Sequence, residues 1–151
     1  MDFTTSYDEE SGLWLSAGNP LTSIEPSKMY MINTNSDCVI ELEGKLLEDV
    51  EITLNQGENN ISYPLEYESD INTALQNLNA TQGDMIKGYG TSLIAAYLSG
   101  KWVGSLTTLK PGQGYIYTSN SAETITFKYP DSIDVKLSNY TTKEYVDEEI
   151  N

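Results

Sequence analysis

Two tryptophans, eleven tyrosines and 23 carboxylates are the side chains of this 151-residue chain with chemistry to offer. An indole or phenol face packs on the apolar face of a sugar ring, and exposed tyrosine covers contact area at little entropy cost. Tyr97, Trp102 and Tyr117 are the candidate ligand-binding residues on that ground. A competing assignment stands beside it. Trp14 and Trp102 each follow a tight turn, where a large ring most often closes a small core, and core is the preferred assignment for both. Tyr115 and Tyr117 alternate on one strand face; Tyr115 is the better core candidate, while Tyr97 and Tyr117 are the ones expected to reach solvent.

Other chemistries fall away on composition. The chain has no histidine, so an imidazole general base and imidazole metal capture are excluded. Glycoside hydrolysis needs only two carboxylates about 5–10 Å apart. Among 23 acids, however, no pair has an apolar neighbourhood that would raise one of them, and the chain is read as non-enzymatic with no catalytic residue assigned. Cys38, followed by Val39 and Ile40, is expected to be a small buried residue. The stretch from Asn33 to Asp37 imitates the start of a calcium loop, but Cys38 replaces the sixth-position glycine and Gly44 the twelfth-position glutamate. No metal ligand and no cofactor are therefore assigned. The cluster Glu41, Glu43, Glu48, Asp49 and Glu51 is expected to be a solvated face and loop. Pro111-Gly112-Gln113-Gly114 lies between two strand-like runs with no helix to receive a phosphate, which makes it a turn.

Charge narrows the partners. Eight lysines and no arginine stand against the 23 acids, a net charge of −15, so nucleic acid is excluded as a partner. The acidic start MDFTTSYDEE lacks a basic or apolar leader region, so no signal peptide is expected, and the longest apolar run, 93–98, is too short to enter a bilayer as a span.

The elements that must carry these residues are mostly short strands. KMYMIN (28–33) and DCVIELE (37–43) predict a hairpin, as do GYIYTS (114–119) and ETITFKY (123–129). EITL (51–54) and NISYPL (60–65) flank Gln56-Gly57, and TSLIAAYL (91–98) meets KWVGSL (101–106) through Ser99-Gly100, a link that favours a primed turn. Ile71, Ala74, Leu75 and Leu78 recur at helical spacing, which predicts one short amphipathic helix over 70–78, capped by Ser69 or Asp70.

An internal repeat organises the chain. SGLWLSAGNPLTSIEPSKMYMINTNSDCVIEL (11–42) and SGKWVGSLTTLKPGQGYIYTSNSAETITF (99–127) match in order: Trp14 with Trp102, Leu21-Thr22 with Leu106-Thr107, Pro26 with Pro111, Tyr30 with Tyr115 and Ile40 with Ile125. Tyr7 matches Tyr97 more loosely. The expected organisation is a partial unit over 1–45, a complete unit over 46–130, and a linker with the start of a helical stem over 131–151. The expected fold is mainly β: small antiparallel, sandwich-like units with one short amphipathic helix and a short helical tail.

The string WVGSLTTLKPGQGYIYTSNS (102–121), with NNISYPL (59–65) and GDMIKG (83–88) ahead of it, resembles tandem β-rich repeats of surface and secreted proteins of gut Bacteroidales. Those repeats carry a WNWISYPL-like opening, a GDMIKS-like middle and a W-x-G-S-L-T-T-x-x-P-G-x-G-Y closing. The resemblance covers 46–130 well and 7–43 weakly; Asn59-Asn60 stand where the family tends to have tryptophan, so no aromatic role is carried there. It implies an extracellular, non-enzymatic repeat module. SNYTTKEYVDEEIN (138–151) resembles segments that lead into the coiled stems of phage tail and head fibres, a solvated acidic tail being the plainer alternative. Together these imply a structural or adhesive module of a phage fibre on the virion surface, binding host-surface or mucus glycans. Its expected partners are identical copies, a trimer being favoured, and other virion proteins, without membrane insertion. The alternative is a repeat module of a bacterial cell-surface or secreted adhesin.

Overall fold

The computed structural model describes residues 5–15, 21, 23–41, 43–45, 47 and 49–131; the stem-like segment at 138–151 lies outside them. Eleven strands and one helix follow along these residues. They are β1 (Ser6–Asp8), β2 (Leu13–Leu15), β3 (Glu51–Leu54), β4 (Gly57–Ser62), β5 (Ser69–Asp70), α1 (Ile71–Ala74), β6 (Met85–Gly88), β7 (Ile94–Leu98), β8 (Lys101–Gly104), β9 (Thr108–Leu109), β10 (Gly114–Ser119) and β11 (Ile125–Lys128). The chain is mainly β, in several small antiparallel sheets, with very little helix.

Five strands form the main sheet in the order β4-β10-β6-β7-β8. Its inner face follows from the alternation along β10, where Tyr115, Tyr117 and Ser119 are buried. The register sets Tyr115 beside Ile61 and Gly88, Tyr117 beside Asn59 and Ile86, Ile86 beside Ala95, and Tyr97 beside Trp102. Ile61, Tyr115, Tyr117, Ile86, Ala95 and Trp102 thus line one face, and they join Ile52, Leu54, Ile71, Ala74, Leu75, Leu109 and Phe127 in a single core.

The hairpin expected from 114–119 and 123–129 is replaced by a longer-range arrangement. β10 and β11 both form, but β10 pairs with β4 while β11 pairs with β3. Residues 51–62 and 114–128 are thereby one bent two-stranded ribbon, turned at 55–56 and 120–124. The Asn59 side chain fixes that corner: its Oδ1 accepts from Asn55 N (2.8 Å), and its Nδ2 donates to Asn55 O (2.8 Å) and Gly57 O (2.9 Å). Thr124 Oγ1 closes the other side on Asn55 Oδ1 at 3.0 Å.

The β7–β8 hairpin forms as its sequence predicts. Ser99 and Gly100 both take positive φ, 53° and 84°, as a type I′ turn requires. The helix is shorter than its apolar spacing suggests. Asp70 caps it by accepting from Asn72 N and Thr73 N; after Leu75 the bonds tighten to Gln76 N–Thr73 O and Leu78 N–Leu75 O. All four stripe residues are nonetheless buried, because a tightened turn keeps them on the same side.

The first unit is realised in part. Tyr7 pairs with Trp14 in the β1–β2 register as Tyr97 pairs with Trp102, and the ring pairs have similar geometry, 5.5 Å and 58° against 5.3 Å and 53°. Asp8 accepts from the Ser11 hydroxyl and N–H, which holds its carboxyl below the usual range. Glu25 N donates to Tyr30 Oη at 2.9 Å, as Lys110 N donates to Tyr115 Oη at 2.8 Å. Lys28 N–Glu25 O (3.1 Å) likewise matches Gln113 N–Lys110 O (3.2 Å). Beyond this turn the likeness stops. The hairpin expected at 28–33 and 37–43 is absent among the described residues, where only Lys28 makes a β-bridge, to Ile61. Cys38 is exposed rather than buried, since its segment has no sheet to lie in.

Gly104 (φ 151°) sits where a Cβ would meet Ile94 O and come within 2.8 Å of Ala95 Cα, whereas Gly90 (φ 71°) has open space around it. Gly104→Ala is expected to cost about 3 kcal/mol in urea unfolding, and Gly90→Ala about 1 kcal/mol. Equal costs would mean that backbone preference, not the close approach of β7 and β8, governs Gly104.

Candidate functional site

The three aromatic residues singled out from the sequence do come together. Trp102 lies 5.3 Å from Tyr97 and 5.8 Å from Tyr117, ring centre to ring centre, the second pair edge-on. Tyr117 is 0 % exposed and Trp102 5 %, so neither offers a face to a ligand. Tyr117 is therefore core, not the solvent-reaching ring its strand position suggested; the cause is that β10 is central, with strands on both sides. Tyr97 alone of the three keeps partial exposure.

Beneath these rings lies Asp84, part of the GDMIKG string but assigned no role from sequence. Asp84 is fully buried. Its Oδ2 accepts from Tyr117 Oη (2.6 Å) and Thr81 N (2.9 Å), and its Oδ1 accepts from Asn120 N (2.7 Å). The Asp84 N–H returns a bond to Thr81 O, and its carbonyl accepts from Tyr97 N. A second tie holds Trp102: its N–H donates to Asn72 Oδ1 (2.7 Å) and its carbonyl accepts from Asn72 Nδ2 (3.2 Å), which fastens α1 to β8. Burial raises the Tyr117 phenol well above its ordinary value, and the Asp84 carboxylate adds to the shift. The arrangement positions rings and holds strands together; it presents no group to a substrate.

Concavity is found elsewhere. A cleft of about 550 Å³ lies between the first unit and the second, lined by Tyr30, Met31, Ile32, Asn33 and Tyr89. Tyr89 is held in place by its backbone: its N–H donates to Gly114 O and its carbonyl accepts from Gln113 Nε2, both at 2.9 Å. The Tyr89 ring and the Met31 and Ile32 side chains are exposed. Among the described residues no charged side chain lines this cleft in a chain of net charge −15, which favours a neutral occupant with apolar and hydroxyl surfaces. The opposite face of the main sheet exposes Met85, Ile94, Leu98 and Val103 together with Lys87 and Lys101, a mix of aliphatic side chains and cations. Among the described residues no cluster of three or more acidic, histidine or cysteine side chains could hold a metal ion, and no helix is long and apolar enough to cross a membrane. Pro111–Gly114 is a turn, with Gly112 at φ 75°.

Tyr117→Phe removes a donor from a buried carboxylate and is expected to cost about 2 kcal/mol in urea unfolding, with the midpoint falling and the slope unchanged. A cost near zero would mean that Asp84 is satisfied without the phenol. Alkali provides a separate check. Burial pushes Tyr63 up to about 12 and raises Tyr115, Tyr117 and Tyr129 as well. Phenols raised in the fold contribute stability that is complete below the unfolded value of about 10 and is lost as pH climbs past it. Absorbance at the tyrosinate band is expected to rise smoothly for the exposed tyrosines and then step with unfolding. A single smooth rise completed before unfolding would contradict the burial of these four.

No family model, curated protein or solved structure matches this chain.

Proposed function

We propose that the chain is a non-enzymatic structural and adhesive repeat module of a phage fibre, displayed on the virion and contacting neutral host-surface or mucus glycans. The observation that carries the modular part is the repetition: a tyrosine–tryptophan ring pair across a hairpin and a tyrosine-to-turn bond each occur twice, with similar ring spacing and bond length although the hairpin loops differ. A unit that recurs with its own local fastenings is suited to display in series. The adhesive part draws on the uncharged cleft, where the Tyr89 ring can lie along a sugar and the Asn33 amide can bond to its hydroxyls. The fibre assignment draws on the sequence of 138–151.

Two measurements test this. Light scattering after size exclusion is expected to give a trimer for the full chain and a monomer once 138–151 is removed; a monomer in both cases would overturn the stem and favour a bacterial surface adhesin. On an array of host-surface and mucus glycans, the full chain is expected to retain neutral glycans, and Tyr89→Ala to lose about tenfold in affinity with its unfolding midpoint unchanged. No retained glycan would remove the adhesive role and leave a structural one.

A further inference from the structure

The two units differ in a consistent way. Fastenings made within a few residues are present in both, whereas burial is present only in the second. Trp102 is 5 % exposed and its counterpart Trp14 65 %; Tyr117 is 0 % exposed and its counterpart Ile32 62 %. Ile125 is partly buried against the core, while its counterpart Ile40 is exposed. In the second unit the cover over these positions comes from residues 51–88. Asn72 of α1 grips both backbone groups of Trp102, Asp84 receives the Tyr117 hydroxyl, β4 and β6 flank β10, and β3 pairs with β11.

We infer that the described residues 7–15 and 23–41 form an acceptor surface for the opening half of a repeat unit, a segment of the same type as 51–88, which holds β3, β4, β5, α1 and β6. The choice of occupant rests on the second unit, which displays both the surface and its cover. Once covered, 28–33 becomes a central strand and 38–41 part of a bent ribbon, as β10 and β11 are. Cover also resolves the hazard of strand-forming sequence with unpaired edges. Completion draws Ile32 inward but leaves Met31 and Asn33 on the other strand face, so glycan retention by the unfused chain neither supports nor weakens this inference.

The test joins a copy of residues 46–90 directly ahead of Met1 in the full chain. Acrylamide quenching of tryptophan emission, compared with the same protein carrying Trp14→Phe, reads Trp14 alone. Trp14 is expected to pass from readily quenched in the unfused chain to as protected as Trp102. Amide exchange over 29–33 and 38–41 is expected to slow by about a hundredfold. A fused copy carrying Ile61→Asp and Ile86→Asp is expected to give neither change. The same segment added as a separate peptide to the full chain reads the same protection if the fused protein folds poorly. Unchanged Trp14 quenching in both formats overturns the inference. A full chain that is already dimeric, with Trp14 protected, would give the cover to a second copy and overturn it as well.

Discussion

A carboxylate without water must be satisfied by the fold around it, and Asp84 imposes that condition on the second unit. Left unpaired, such a group costs several kcal/mol. Three neutral donors meet it, from the 81–84 turn, from the ring on β10 and from the corner after β10. Those donors lie far apart in sequence, so satisfying the carboxylate places β10 beside β6 and fixes where the chain turns toward β11. The Tyr117 ring, drawn to Asp84 by its hydroxyl, then becomes the edge against which Trp102 packs. Trp102 in turn is anchored to α1 through Asn72, so helix, sheet and ribbon meet over one buried acid.

Among the described residues the first unit's closing sequence meets no buried carboxylate of the Asp84 kind. What survives is what closes over short distances: a ring pair across a hairpin and a phenol bonded to a backbone N–H five residues back. What is lost is every strand whose partner lay in the opening half. Short loops cost little entropy to close, while central strands depend on contacts made over long separations. Strand-forming sequence at 28–33 and 37–43 is therefore insufficient. It needs edges to pair with, and the second unit supplies only a bridge at Ile61.

That distinction also separates what was legible in the sequence from what was not. The Ser99-Gly100 turn, the buried stripe of Ile71, Ala74, Leu75 and Leu78, the core place of Tyr115 and the repeat itself depend on residue type and near neighbours, and each could be read directly. Strand pairing could not: adjacent runs such as 114–119 and 123–129 look like a hairpin, and only the Asn59 corner and the opposing β3–β4 run make them one side of a ribbon. Trp14 and Trp102 share a local pattern yet differ in burial, because the cover over a ring is a property of distant sequence. Asp84 stands in the GDMIKG string at 83–88, but its burial could not be read there, since its phenol and corner donors come from residues more than thirty positions away.

Burial divides the tyrosines into two groups. Tyr63, Tyr115, Tyr117 and Tyr129 are used up in the core, where Tyr63 donates to Tyr67 O, Tyr115 caps the turn at Lys110 and Tyr129 donates to Ser62 O. A phenol serves such a place better than phenylalanine because it fills space and also satisfies a backbone group. The tyrosines left for contact are those whose hydroxyls the fold does not consume and whose rings lie at the edge, Tyr89 foremost. Its position depends on the backbone of the 110–115 turn rather than on its own side chain. The ring is thus presented by a rigid support yet free of structural duty, which is the combination a binding residue requires.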